Sequence, residues 1–299
     1  MTLRNKPTSP MEPVLSPLPR LRRLLVSLLS LILAVSVLSA CSTTDALEIA
    51  QPQAEPSKYA AIVVDARSGK VLYSEAADQI RYPASLAKMM TLYLLFEALQ
   101  SRRLSLNSQI PVSANAARQP ASKLYLKEGT TIDVDTAIRA LVVKSANDVA
   151  TAVAEHLAGS EAQFARRMTA RARTLGMGRT VFTNASGLPD PAMRTTARDM
   201  SKLSLALRRD FRQYYSYFKL VSFEYRGKTI RGHNKILGMV SGADGIKTGY
   251  IRASGYNLAA SVRRNGRSIV AVVMGGKSGS ARDAHMAQLL TATFNRSIR

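Results

Sequence analysis

Short runs rich in β-branched residues stand at both ends of the region that can fold, and helical spacing fills the middle. "YAAIVVDARSGKVLYSEA", beginning at Tyr59, is two such runs about Arg67-Ser68-Gly69, which predicts a hairpin. "GYNLAASVRR" and "SIVAVVMGG" flank Asn265-Gly266, a pair that suits a type I′ turn because both of its positions take positive φ. The last segment, "ARDAHMAQLLTATFNR", returns to helical spacing. Between the hairpins, Ser160 with Gln163 and Thr196 with Asp199 form capping pairs that open helices, and Gly176 follows a helix end. Strands from both ends around a helical middle predict one sheet and one domain of mixed α/β (α+β) class. That domain spans 59–299, with a mainly helical lobe over about 86–240 inserted in it.

The pattern before Tyr59 differs. Arg20, Arg22 and Arg23 precede the seventeen-residue uncharged stretch "LLVSLLSLILAVSVLSA", which ends beside Cys41. A basic flank, a short apolar run and small residues at its exit predict a secretory signal over 1–40. "LSAC" also resembles the bacterial lipobox, in which the cysteine thiol is lipidated and becomes the new N-terminus. Cleavage after Ala40 with an incidental cysteine is the plainer reading; Cys41 is the sole cysteine of the chain, which favours lipidation. Residues 41–58, polar with two prolines, read as a flexible tether.

Composition narrows the classes. One cysteine excludes an intramolecular disulfide and a Cys-rich metal site. The formal net charge is +22, spread along the chain, and it suits anionic polymers, acidic lipid headgroups or nucleic acid. No nucleic-acid-binding signature accompanies it, so no nucleic-acid partner is expected. The histidines, His156, His233 and His285, form neither an H-x-x-x-H nor an H-E-x-x-H pair, which argues against a zinc site, and the sequence as a whole implies no metal or cofactor. His156 and His285 read as structural, whereas His233, in "RGHNK", could line a cleft.

Candidate chemistry begins at "PASLAKMMT", residues 83–91. Pro83 favours a helix start at about Ala84 or Ser85, which would put Ser85 and Lys88 on one face. The helix that follows is apolar on nearly every side, so Lys88 should be buried, its pKa lowered by desolvation and by the positive helix end. A neutral amine beside a hydroxyl is a general base beside a nucleophile. The tetrad alone is weak, since Ser216 and Lys219 repeat it. Two further stretches add weight: Ser145-Ala146-Asn147, sixty residues after Ser85, and Lys247-Thr248-Gly249, another 102 on. Each has a decoy, Ser113-Ala114-Asn115 and Lys277-Ser278-Gly279. Order, spacing and flanks separate them: Ser145 falls between helical segments and Lys247 begins a strand-like run.

These three stretches resemble the signatures of the penicillin-binding proteins and serine β-lactamases. More closely, "VVDARSGKVLYSEAADQIRYPASLAKMMTLYL", "SKLYLKEGTTIDVDTAIRALVVKSANDVA", "TVFTNASGLPD" and "GHNKILGMVSGADGIKTGY" are similar to the low-molecular-mass D-alanyl-D-alanine carboxypeptidases of peptidase family S11, over about residues 59–280. The resemblance implies a β-lactamase/transpeptidase-like fold with an antiparallel sheet of about five strands, flanked by helices. It implies a periplasmic enzyme that trims the terminal D-alanine of peptidoglycan stem peptides through an acyl-enzyme and is inhibited by β-lactams. Ser85 would be the nucleophile, Lys88 its proton acceptor and Ser145 the relay to the leaving D-alanine. Asn147 would bind the substrate amide, Lys247 and Thr248 its carboxylate. The amides of Ser85 and Tyr250, the latter just past Gly249, would form the oxyanion hole. Ile251 and Ala87 depart from the threonines usual in the family, and neither change removes a catalytic group. Chain ends differ too: many members continue into a β-rich second domain and a C-terminal membrane helix, neither of which is expected here, so attachment would pass to a lipid on Cys41. Endopeptidase action on crosslinks remains open, because both reactions cleave after the same D-alanine. A β-lactamase is disfavoured: the class A glutamate of an E-x-x-L-N loop is missing from "TNASGLPDP". A catalytically inert wall-binding protein is disfavoured by the intact motifs.

Overall fold

The computed structural model of the protein describes residues 57–295, together with residue 2. The expected signal segment, Cys41 and all but the last two residues of the tether lie outside the described residues. Both end hairpins form. Strands β1 (Ala60–Asp65) and β2 (Val71–Glu75) pair antiparallel, and the Asp65 carboxylate accepts from the amides of Arg67 and Ser68 to close the turn. Within the inserted region, β3 (Gln109–Pro111) pairs with β4 (Thr131–Asp133) and β5 (Ser222–Tyr225) with β6 (Lys228–Arg231). These short ladders add to the helical lobe that periodicity predicts. After them come β7 (Ala243–Ile251), β8 (Gly255–Arg264) and β9 (Arg267–Gly276), with Asn265 and Gly266 both at positive φ in the last turn.

The main sheet has the order β2-β1-β9-β8-β7, so β1 and β9 unite the two ends of the domain in register Ala60↔Met274 to Asp65↔Ile269. Successive side chains point to opposite faces of a strand. Ile62, Val64, Val270 and Val272 therefore enter one core, while Ala61, Val63, Ala271 and Val273 enter another. Met286, Leu289, Leu290 and Phe294 of the last helix, Gly279–Asn295, cover the second face. Burial on both faces explains why β9 reads as an unbroken apolar run instead of alternating.

On the first face lies the large core of the helical region. The Lys88–Gln100 helix is buried on nearly every side and packs against Asn147–Ala158, Glu161–Thr174 and Ala197–Asp210. The capping pairs act as the sequence predicts: Ser160 accepts from the amide of Gln163, and Thr196 from that of Asp199. Ala197–Asp210 lies against β1 and β9, so part of the expected lobe serves as a cover for the sheet. Among the described residues no helix is long and apolar enough to cross a membrane, and no three metal-ligating side chains are grouped.

Candidate active site

Ser85 lies in a 3₁₀ turn, Ala84–Ala87, and Lys88 is the first residue of the α-helix that follows. The expected helix start at Ala84 or Ser85 is thus a tighter turn, and the α-helix proper begins three residues later. With three residues per turn, positions i and i+3 stand in line, so Lys88 aligns with Ser85. Ala84 takes φ of +49°, which sets this turn at an angle to the incoming chain. Asn257 of β8 fixes it there, donating to the carbonyls of Tyr82 and Pro83.

Lys88 is fully buried. Its Nζ lies 2.7 Å from Asn147 Oδ1, 2.6 Å from the Ser186 carbonyl and 3.2 Å from Ser85 Oγ. The first two partners only accept, so they claim two N–H bonds. A neutral amine then has its lone pair left for the third direction, where the Ser85 hydroxyl can donate to it. Burial, followed by the charge of Lys247, holds the Lys88 ammonium well below the usual lysine range. Burial therefore favours the uncharged amine of Lys88.

Ser145 follows a π turn over Ala140–Lys144 and takes φ 59°, ψ 40°, the left-handed region. Such a conformation is costly for a residue with a Cβ and persists where the surroundings enforce it. Its Oγ is buried without a protein hydrogen-bond partner, and it borders the cleft that contains Ser85. Asn147 begins the next helix, and its Nδ2 donates to the Pro120 carbonyl at 2.9 Å. Next to it, the buried Asp148 carboxylate accepts from the amides of Leu124 and Leu126. That contact pins the loop that carries Ala121 and Ser122 to one wall of the cleft.

The opposite wall is β7, an edge strand. Lys247 is 1% exposed, donates from Nζ to the Thr248 carbonyl, and has its pKa lowered to about 7, first by burial and then by the Arg282 guanidinium. Lys247 sits in mid-strand instead of beginning it, because β7 starts four residues earlier, at Ala243. A Cβ built on Gly249 would lie 3.0 Å from the Ser85 amide nitrogen, a tight contact, so glycine eases the close approach of β7 to the Ser85 turn. Tyr250, just beyond, is exposed and packs at a tilt of 31° against Tyr256, with ring centroids 4.2 Å apart. Ser85, Ser145, Asn147, Thr248, Gly249 and Tyr250 all line one cleft of 550 Å³, with buried Lys88 and Lys247 behind its walls.

The structure also assembles residues that motif reasoning missed. The Ser186 carbonyl is a partner of Lys88, and Gly187 must pass close beneath the Ser85 turn. Arg282 is buried on the cleft wall, paired with Asp283 at 2.7 Å and donating to the Asn257 carbonyl. "TNASGLPD" and "ARDAH" contain these residues, and neither stretch carries a local chemical signature. His233 does line the cleft, and burial and nearby cations lower its pKa. His156 is exposed on its helix, and His285 hydrogen-bonds the Tyr59 hydroxyl. The decoys lie elsewhere or are occupied: Ser113 caps a short helix, Ser278 bonds Ser280, and Ser216 is exposed in the 3₁₀ turn Tyr215–Lys219.

The sequence matches the family model of the D-alanyl-D-alanine carboxypeptidases over residues 47–278. It is 34% identical to the D-alanyl-D-alanine carboxypeptidase DacA of Escherichia coli over 250 residues, which is 81% of this chain and 62% of that protein. The chain thus spans less than two thirds of the length of this relative. Penicillin-binding protein 5 of Haemophilus influenzae superposes with a TM-score of 0.78 at 30% identity, covering 82% of this chain and 72% of its own. Penicillin-binding protein D2 of Listeria monocytogenes, solved with ampicillin bound, gives 0.73 at 29% identity over 80% and 98% of the two chains. With a family model matched over residues 47–278 and a D-alanyl-D-alanine carboxypeptidase 34% identical over 81% of the chain, the chain belongs to the D-alanyl-D-alanine carboxypeptidases of peptidase family S11.

Proposed function

We propose that this protein is a serine D-Ala-D-Ala carboxypeptidase that removes the terminal D-alanine from peptidoglycan stem peptides. The observation that carries the reading is the set of contacts around Lys88, which commits two N–H bonds to acceptors and aims the remaining position at Ser85 Oγ. Neutral Lys88 takes the hydroxyl proton as Ser85 attacks the carbonyl of the penultimate D-alanine. The tetrahedral oxyanion is held by the amides of Ser85 and Tyr250, on the two walls that Gly249 brings together. Ser145, whose hydroxyl has no other partner, passes a proton to the departing D-alanine nitrogen. Lys247 and Thr248 hold the free carboxylate, and Asn147 turns its remaining amide capacity to the substrate backbone. Water then hydrolyses the acyl-enzyme.

Penicillin should acylate the same serine and leave slowly. The carboxylates whose charge Lys88 feels are Glu161 and Asp148. Glu161 accepts from the Ala185 amide and Asp148 from those of Leu124 and Leu126, and neither lines the cleft, so neither is placed to activate a deacylating water there as a β-lactamase glutamate does. The sequence before Tyr59 supports a location in the periplasm, with a lipid on Cys41 as the membrane attachment.

One experiment tests both parts. Cells producing the full chain are labelled with fluorescent penicillin and fractionated. A labelled band of mature size is expected in the membranes, lost in Ser85→Ala and moved to the soluble fraction in Cys41→Ala. Release of D-alanine from a pentapeptide should vanish with the label; D-alanine release that survives Ser85→Ala would sink the mechanism, and a Cys41→Ala protein that stays in the membranes would sink the anchor.

A further inference from the structure

A second concavity lies at the other end of the sheet. It has a volume of 960 Å³ and is bordered by the β1–β2 turn, the β8–β9 turn, the end of the Ala197–Asp210 helix and the Tyr215–Lys219 turn. It shares no lining residue with the Ser85 cleft. On β7, Asp244 borders this concavity and Tyr250 borders the catalytic cleft, six residues apart, or roughly 20 Å along a strand.

The charges in it do not cancel. Its two carboxylates are already engaged: Asp65 by the amides of its own turn, and Asp244 by Arg208 at 2.9 Å and by Ser261. Arg209 is paired with Asp210. That leaves Arg67, Arg212, Lys219, Arg263 and Arg267, none of which is in a salt bridge among the described residues, although Arg267 is close enough to Asp65 to lower its pKa and Arg67 donates to the Gly266 carbonyl. Arg212, Lys219 and Arg263 are exposed. Like charges crowded about one hollow repel each other, and an isolated surface has no reason to gather them.

We propose that this basic concavity is a binding site for a phosphate-bearing polymer. Four of the five cations outside salt bridges are guanidiniums, whose planar forks match phosphate oxygens in pairs. Five cations exceed what a single phosphate can neutralise, so the ligand is one that repeats its charge. A hollow bordered by two turns and a helix end receives a chain, whereas a bilayer surface is flat. The site is independent of the reaction at Ser85 and would hold the catalytic domain against an anionic layer.

The test uses the full chain and long-chain inorganic polyphosphate, with binding followed at several salt concentrations. Each phosphate that a variant leaves without its cation should lower the slope of log affinity against log salt by roughly 0.7–0.9, the value for nucleic-acid phosphates. Arg212→Gln with Lys219→Gln and Arg263→Gln should bind about tenfold or more weaker, with a salt slope shallower by about two. A control with the same loss of charge elsewhere, Arg118→Gln with Lys127→Gln and Lys228→Gln, should stay within about twofold of the wild type. Both triples should keep the wild-type rate of penicillin labelling, which shows that the fold is intact. Equal losses in both triples would reduce the effect to net charge and overturn the proposal. So would a wild type that, at equal charge concentration, prefers phosphatidylglycerol vesicles or polyglutamate to polyphosphate, or that binds no polyphosphate at all.

Discussion

Lys88 and Lys247 need opposite charge states, and that conflict predicts the pH profile. Lys88 must be neutral to accept the Ser85 proton, so activity should fall as pH drops through its lowered pKa. Lys247 must be charged to hold a carboxylate, so kcat/KM should fall again as pH rises past its pKa of about 7. The two sites interact, because the charge on Lys247 helps to depress Lys88, and both limbs belong to the pair. Arg282 gives a way to separate them. Its guanidinium lowers the Lys247 pKa, so Arg282→Gln should shift the alkaline limb of kcat/KM upward. A pH profile measured on a D-Ala-D-Ala peptide decides this; an alkaline limb that stays in place would mean that Lys247 does not set it.

At the scale of elements, the site depends on how closely three backbones approach. Gly187 has φ of +80°, and a Cβ there would fall 1.8 Å from the Ala84 carbonyl oxygen. Gly187→Ala must displace either the Ser85 turn or the Ser186 carbonyl that fixes Lys88. A left-handed alanine costs about 1–2 kcal/mol by itself, and a shift of about 1 Å at a reacting group costs on the order of a hundredfold in rate. The acylation rate with fluorescent penicillin should fall by about that factor, with a lower Tm. An unchanged rate would show that the turn tolerates the shift. Such close approaches mark the limit of what the sequence displays. Hairpins and caps are local, so Asn265-Gly266, Ser160 with Gln163 and Thr196 with Asp199 were legible as they stand. The three motifs were legible because each is a tetrad or triad of distinct chemistry. A carbonyl such as that of Ser186 has no side-chain signature, and Gly187 shows its need only once Ala84 is folded onto it. Strands of three residues, Gln109–Pro111 and Thr131–Asp133, are too short for a period to show.

For the whole molecule, two buried lysines make the fold itself sensitive to pH. Lys247 binds its proton with a pKa of about 7 in the folded protein against the ordinary 10.5, and Lys88 shifts in the same direction. Between pH 7 and 10.5 the unfolded chain keeps a proton on Lys247 that the folded chain has lost. The unfolded state then binds more protons, so stability rises with pH across this window, by up to about 1.4 kcal/mol per unit for each such group. Below pH 7 the folded protein carries the charged lysine at its full desolvation cost, and above 10.5 that cost is gone. Lys247→Met removes the titration while filling the same space with an apolar chain. Urea unfolding at about pH 7, 8 and 9 should therefore show the wild type gaining stability more steeply than Lys247→Met, by roughly 1 kcal/mol per unit. The variant should also be the more stable of the two at about pH 7, where its gain is largest, even though it can no longer hold a carboxylate. Parallel curves for the two proteins would mean that Lys247 keeps its proton in the fold, and the alkaline limb of activity would then have to come from another group.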